Sequence, residues 1–278
     1  MNRNKSDLKF LLTKYGDNVV GLIGYGSMLY GQTRKSSVYD CWIILKDPKL
    51  FHARNEELYR HSLNKPSNAK EQIRLNQGWV NFYAVTENGI DMKWAVVSEN
   101  DFLRLCYNKW MFVKGRMQKP LKIFRSTKRI EEAILAARRE ATRQAADLLG
   151  SPFSLDDFLH MAMSLSYMAD IRPDSIRVKV SSIIESTGGI LREIYQPLLR
   201  ELDYITEYEG VYRDTRPDTV QMKARLQTRW YLWKAKFHFG YRKVLWRNYR
   251  TYKHPLRYVF YKIYDEMMKR LKYNILAK

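Results

Sequence analysis

Gly24-Tyr25-Gly26-Ser27 closes an apolar run, Val19 to Ile23, and Asp40 opens a second one, Cys41-Trp42-Ile43-Ile44-Leu45. A glycine at position 26 lets the backbone approach a phosphate closely. Backbone N–H groups and the Ser27 hydroxyl can then hold phosphate oxygens where a helix begins. Asp40, on the neighbouring strand, can hold a Mg²⁺ ion against the same phosphates. This set of residue types suits transfer of a nucleotide. A Gly-Ser turn before a helix is also a common structural device, so the context decides.

The elements that must position these residues can be read from pattern. A helix is expected from Ser6 to Tyr15, with Leu8, Leu11 and Leu12 on one face. Strands are expected at Val19–Gly24, Asp40–Lys46, Trp79–Val85 and Met92–Val97, the last two joined at Asn88-Gly89, a hairpin-turn pair. A helix follows from Asn100 to Lys109. From Ser126 the pattern turns helical: Ile130 to Leu149, stopped by Gly150; a helix from Ser154, with Asp157 three residues on, to Tyr167; one after Asp174 stopping near Gly188-Gly189; and one from Ile190 to Leu202. The fold class is α+β. Three parts are expected: residues 1–125, 126–205 and 206–278.

Downstream blocks supply the context. They are His52-Ala53-Arg54-Asn55, Lys93-Trp94-Ala95-Val96-Val97-Ser98, Gly115-Arg116-Met117-Gln118-Lys119-Pro120 and Leu165-Ser166-Tyr167-Met168-Ala169-Asp170-Ile171-Arg172. The Gly-Ser…Asp spacing matches that of polymerase-β-type nucleotidyltransferases. In their order the blocks resemble the mitochondrial CDP-diacylglycerol synthases, the translocator assembly and maintenance proteins, which are phosphatidate cytidylyltransferases. The resemblance spans about Leu8 to Arg200, and Gly-Arg-Met-Gln-Lys-Pro is its most specific part. It implies a nucleotidyltransferase-like mixed sheet with helices, then a helical domain of winged-helix-like form, then a basic tail. It implies CTP and phosphatidate as substrates and Mg²⁺ as cofactor.

On that basis Asp40 is expected as metal ligand and Lys93 as its catalytic companion. Gly26, Ser27, His52, Arg116 and Lys119 are expected at the nucleotide. Position 42 is Trp where the wider superfamily carries a second carboxylate, so another metal ligand must come from elsewhere. Asp91 is the candidate; Asp47 instead suits the Asp47-Pro48 turn. Tyr167, Asp170 and Arg172 read either as a helix cap with a salt bridge or as closing the cleft between two domains. The alternatives to the cytidylyltransferase are a nucleotidyltransferase acting on RNA or another phosphorylated acceptor, and a degenerate nucleotide-binding membrane adaptor.

Charge separates one region from the rest. The 278 residues hold 49 Lys and Arg against 29 Asp and Glu, a net +20, which favours polyanionic partners. Residues 222–278 alone hold sixteen Lys and Arg against Asp265 and Glu266. Leu226, Trp230, Trp233 and Phe237 fall at helical spacing there, as do Leu256, Phe260, Ile263, Met267 and Leu271. Aromatics and cations in this pattern suit an anionic membrane surface, with Trp230, Trp233, Phe237 and Phe260 at headgroup depth. Stacking on RNA and simple helix pairing are the competing readings; no nucleic-acid partner is expected. No apolar stretch reaches the roughly 20 residues that span a bilayer. Met1 to Asp7 show neither an apolar signal core nor an Arg- and Ser-rich leader, so a bacterial relative, peripheral on the cytoplasmic face of the membrane, is expected. Cys41 and Cys106 read as buried reduced thiols.

Overall fold

The computed structural model describes residues 8–26, 38–63, 66–75, 80–87, 89–108, 117–168 and 176–237. Its first part is a mixed five-stranded sheet. The strands are β1 (Val19–Tyr25), β2 (Tyr39–Leu45), β3 (Asn81–Glu87), β4 (Ile90–Ser98) and β5 (Leu121–Arg125), in the order β3-β4-β2-β1-β5. β2 and β4 run parallel; the other neighbours are antiparallel. Glu87 faces Ile90 across the expected hairpin, and Gly89 takes a positive φ of 70°.

Alternation along the strands makes two apolar faces. One carries Ile23, Tyr25, Trp42, Ile44, Phe82, Ala95 and Val97, covered by α4 (Glu99–Tyr107) and the long helix α5 (Lys128–Leu149). The other carries Leu22, Cys41, Ile43, Tyr83, Trp94 and Val96, covered by α1 (Phe10–Tyr15) and by α2 (Pro48–Arg54). A short helix α3 (Ala69–Leu75) precedes β3. Cys41 and Cys106 are buried free thiols, as their apolar neighbours imply.

Side-chain caps set several helix starts. The Asp47 carboxylate accepts from Lys49 N and Leu50 N, with Pro48 in the first turn, so Asp47 shapes a turn and is occupied there. Ser98 accepts from Asp101 N, and Thr127 from Ile130 N. Ser154 and Asp157 form a reciprocal box: Asp157 N donates to Ser154 Oγ while Ser154 N and Oγ donate to the Asp157 carboxylate.

The second part is helical with a small antiparallel sheet. It contains α6 (Leu155–Met168), α7 (Ile176–Arg200) and α8 (Asp218–Ala235), and the strands β6 (Phe153–Ser154), β7 (Ile205–Tyr208) and β8 (Val211–Asp214), in the order β6-β8-β7. Two expectations change here. Gly188-Gly189 do not end a helix; α7 runs through them. Val180, Thr187, Leu191, Tyr195 and Leu198 are buried at helical spacing on both sides. Their burial outweighs a cost of about 1 kcal/mol per helical glycine. β5 and the second sheet were not expected: among the described residues β5 pairs with β1 alone, at an edge, and lacks a clean alternation, and β6 is two residues long.

The segment expected as a docking tail from residue 206 is, over its first thirty residues, part of this packing. Tyr212, Leu232 and Ala235 lie in the same buried cluster as Phe158, Leu191 and Tyr195. Arg216 donates to Asp214 and to the fully buried carboxylate of Asp147, which also pairs with Arg143. Stacking of the Arg216 guanidinium 3.7 Å from the Tyr204 ring centroid completes the lock between α5 and the β8–α8 turn.

Candidate active site

The end of β1 and the start of β2 lie side by side, with Tyr25 opposite Asp40. Gly26 follows with φ +95°, a conformation that disfavours any side chain. A Cβ built there would stand 3.2 Å from Asp40 Oδ2 and 3.8 Å from Asp40 Cβ. Gly26 is thus needed twice, for its backbone angle and for its closeness to the carboxylate. Asp40 is half-buried.

Lys93 stands directly opposite Asp40 on the parallel strand β4. Its ammonium lies 5.8 Å from the Phe82 ring centroid, within cation–π range. Asp91, two residues earlier, shares that face and is diagonal to Asp40. It is exposed and accepts the Thr86 hydroxyl at 2.6 Å. The sheet therefore gathers Gly26, Asp40, Lys93 and Asp91 at one end.

Lys119 arrives from the other side. Leu121 pairs with Tyr25, so the antiparallel register carries Pro120 to Gly26. The three carbonyls before Pro120 are all held by helix side chains. Arg138 donates to Met117 O at 3.1 Å and to Lys119 O at 3.4 Å, and the Tyr195 hydroxyl donates to Gln118 O at 2.8 Å. Met117 and Gln118 are fully buried. Lys119 Nζ donates to the Tyr167 hydroxyl at 2.8 Å and lies 4.8 Å from its ring centroid. Arg138 and Tyr195 carry no sequence signal for this role: one lies on an amphipathic helix, the other reads as core.

His52 is not brought to this end. It sits on α2, on the opposite face of the sheet, 1% exposed. Its ring nitrogens lie 3.3 and 3.4 Å from the Tyr83 hydroxyl, which also accepts from Gln72. Burial pulls its pKa down to about 4, so it is neutral at pH 7 and packs as an aromatic. Ser27, Arg116, Asp170, Arg172 and Phe260 lie outside the described residues. A groove of about 490 Å³, bordered by Lys14, Gly16, Lys46 and Arg54, lies at the far end of β1 and β2, away from Asp40.

The donor set bears on a metal. Among the described residues no three His, Cys, Asp or Glu converge, so an all-protein cage is absent there. Two carboxylates on one face of the sheet, next to a glycine, fit Mg²⁺, which keeps waters and takes phosphate oxygens as ligands.

The helix α8 has two apolar faces. Thr228, Leu232 and Ala235 are buried against the helical core. Opposite them Met222, Leu226, Trp230, Trp233 and Phe237 are each 55–59% exposed. Trp230 stacks on Trp233 at 5.1 Å and Trp233 on Phe237 at 5.6 Å. At 100° per residue, Lys223 and Lys234 flank this stripe on one side, Arg229 and Lys236 on the other. No helix among the described residues is long and apolar enough to cross a membrane.

The family model for "Phosphatidate cytidylyltransferase, mitochondrial" matches residues 8–235, which include Gly26, Asp40, Asp91, Lys93 and Lys119. The chain belongs to this family. Two relatives bear the name phosphatidate cytidylyltransferase, mitochondrial. One, from Caenorhabditis briggsae, is 26% identical over 198 residues, 66% of this chain and 62% of its own length. The other, from Caenorhabditis elegans, is 26% identical over 180 residues, 61% and 56% respectively. The match thus spans about three-fifths of these cytidylyltransferases. Both are named as mitochondrial, and the bacterial origin expected from the first residues has no counterpart in them.

Proposed function

We propose that the protein is a phosphatidate cytidylyltransferase that converts CTP and phosphatidate to CDP-diacylglycerol and pyrophosphate. The observation that carries this reading is that Gly26, at positive φ, lies where an added Cβ would stand 3.2 Å from the Asp40 carboxylate, in a member of this family. The sheet is read as nucleotidyltransferase-like. The helices with the β6-β8-β7 sheet are read as winged-helix-like.

In this reading the β- and γ-phosphates of CTP rest on the backbone of the Gly26-Ser27 turn. A phosphate oxygen of phosphatidate attacks the α-phosphorus in line. The new P–O bond forms as the bond to the bridging oxygen breaks, and pyrophosphate leaves with that electron pair. The nucleophile is already ionised near neutral pH, so no protein base is required. Asp40 would hold Mg²⁺, with Asp91 as the second carboxylate. The ion's chemistry there is to neutralise charge on the triphosphate. Lys93, beside Asp40, and Arg116, one residue before Met117 in sequence, add positive charge around the phosphates. The protein's contribution is positioning and charge compensation.

The stripe Met222, Leu226, Trp230, Trp233 and Phe237 is read as the surface that meets the membrane holding the lipid substrate. Supporting this are its flanking cations: apolar rings enter the headgroup boundary while Lys and Arg stay with anionic heads.

The assay is radiolabelled CTP with phosphatidate vesicles, in parallel with the other NTPs and with RNA as acceptor. Label in CDP-diacylglycerol, dependent on CTP, is expected. Label in RNA, or none in lipid, would remove the reading.

A further inference from the structure

We propose that Tyr195 and Arg138 are positioning residues of the nucleotide site, acting through Lys119 by fixing the backbone that carries it. The proposal rests on the cytidylyltransferase reading for the ligand that Lys119 meets.

Met117, Gln118 and Lys119 stand outside the ladder between β5 and β1, which begins at Leu121, and Pro120 has no N–H to extend it. Their buried carbonyls must find donors elsewhere. The helices supply them. Arg138 of α5 spans two, donating from Nε to Met117 O and from Nη2 to Lys119 O. Tyr195 of α7 takes the carbonyl between them, Gln118 O, at 2.8 Å. The Tyr195 hydroxyl is not there for packing. Its ring is 0% exposed, in an apolar cluster with Phe158, Leu191 and Leu199. A phenylalanine ring would fill that space, and a hydroxyl buried there is costly unless it is bonded. The bond it makes leaves its own cluster. Gln118 is 77 residues away in sequence, and the neighbouring Met117 belongs to the cluster against the sheet.

What these bonds control is the place of Lys119. Gln118 O precedes its peptide nitrogen, and its own carbonyl is on Arg138, so its backbone is held from both sides. Leu121 faces Tyr25, which puts this backbone at the Gly26 end of the sheet. Lysine carries a point charge on a flexible stem, so its use against a phosphate depends on where its backbone is held. Lys119 Nζ donates to the Tyr167 hydroxyl, which steadies the other end of the stem. Tyr195 also shares its buried cluster with Leu232 and Ala235 of α8. The helical body that carries the exposed aromatic stripe thereby sets the position of a cation at the nucleotide end of the sheet.

The test is a double-mutant cycle on the full chain, read by calorimetry of CTP with Mg²⁺. The four proteins are the wild type, Tyr195→Phe, Lys119→Gln and the double variant, each held well below its melting temperature. Tyr195→Phe keeps the ring and removes the hydroxyl. It raises the Kd for CTP about tenfold in the wild-type background and less than about twofold in the Lys119→Gln background, where the group it positions is gone. Arg138→Lys, at a half-buried position, keeps the charge but cannot span two carbonyls. It raises the Kd by a smaller factor with the same dependence on Lys119. A hydroxyl that served stability alone would lower the melting temperature and leave the Kd of the folded protein unchanged; that result overturns the proposal. An equal rise in Kd in both backgrounds, or a wild type that binds no CTP, overturns it too. A wild type that binds CTP and shows the cycle, yet forms no CDP-diacylglycerol, upholds the positioning role and removes the cytidylyltransferase reading instead.

Discussion

In the proposed function, the sheet end at Gly26 and Asp40 and the outer face of α8 would bind by opposite means. At the sheet end each residue has one place: a glycine at φ +95°, a carboxylate that would crowd any Cβ there, a lysine in register across the next strand. On α8 the pattern alone matters. Met222, Leu226, Trp230, Trp233 and Phe237 repeat at steps of four, four, three and four, and their neighbours could shift without loss of the stripe. A small polar ligand such as a triphosphate is bound by position, whereas a bilayer surface is bound by area and charge. Substitutions should therefore act all-or-none at the first region and in graded fashion at the second.

The largest effect is expected for Asp40→Asn, which keeps the shape and removes the charge. Turnover should fall by about 10³-fold or more, on the order of a lost electrostatic contact in a phosphoryl-transfer site. Circular dichroism and melting temperature should stay unchanged. Activity near wild type at saturating Mg²⁺ would take Asp40 out of the site. Asp91→Asn should cost less, since Asp91 is exposed and already bonded to Thr86.

The two faces of α8 should separate next. Leu232→Ala opens a cavity in the helical core and should cost about 2–5 kcal/mol in urea unfolding. Trp230→Ala, on the opposite face, should change stability by roughly 0.5 kcal/mol or less. It should instead weaken sedimentation with anionic vesicles, and Trp233→Ala with Phe237→Ala should weaken it further in steps. Loss of stability in Trp230→Ala equal to that of Leu232→Ala would mean that the stripe is core. Because Leu232 and Ala235 are buried, truncation to probe the basic tail should begin after Phe237; cutting at Met222 would remove part of the core.

A smaller, pH-dependent effect is expected behind the sheet. His52 has its pKa lowered from 6.5 to about 4 by burial. Below pH 6.5 the unfolded chain binds a proton that the folded chain refuses. The stability contributed by neutral His52 is thus complete above that pH and is lost as pH falls toward 4, by up to about 3 kcal/mol. His52→Phe should flatten that slope while leaving the Kd for CTP unchanged. A weakened CTP affinity would return His52 to the nucleotide.

The difference between the two regions also explains what could be read from sequence. β1 to β4 were legible because their apolar runs are long and bounded by Gly, Asp and Asn-Gly. Gly26 and Asp40 were singled out by residue type and spacing and Lys93 by its block in the family resemblance, and the structure places the three at one end of the sheet. The stripe on α8 was legible because exposure and periodicity coincide there. His52 was misplaced because spacing on a helix does not tell which side of a sheet the helix covers. Arg138 and Tyr195 were invisible because they act on backbone carbonyls, which leave no trace in residue types. The continuous α7 was misjudged because glycine's local cost was visible and the burial that exceeds it was not.

The central claim, a cytidine triphosphate seated at Gly26 beside Asp40, is tested most directly by the shift in melting temperature with nucleotide and Mg²⁺. At a hundredfold excess over Kd, binding to the folded state alone adds about 2.7 kcal/mol. CTP should raise the melting temperature of the wild type by more than ATP, GTP or UTP does. Gly26→Val, whose Cβ would press on Asp40, should abolish that shift. A larger shift with ATP or GTP, or a full CTP shift in Gly26→Val, would contradict the account.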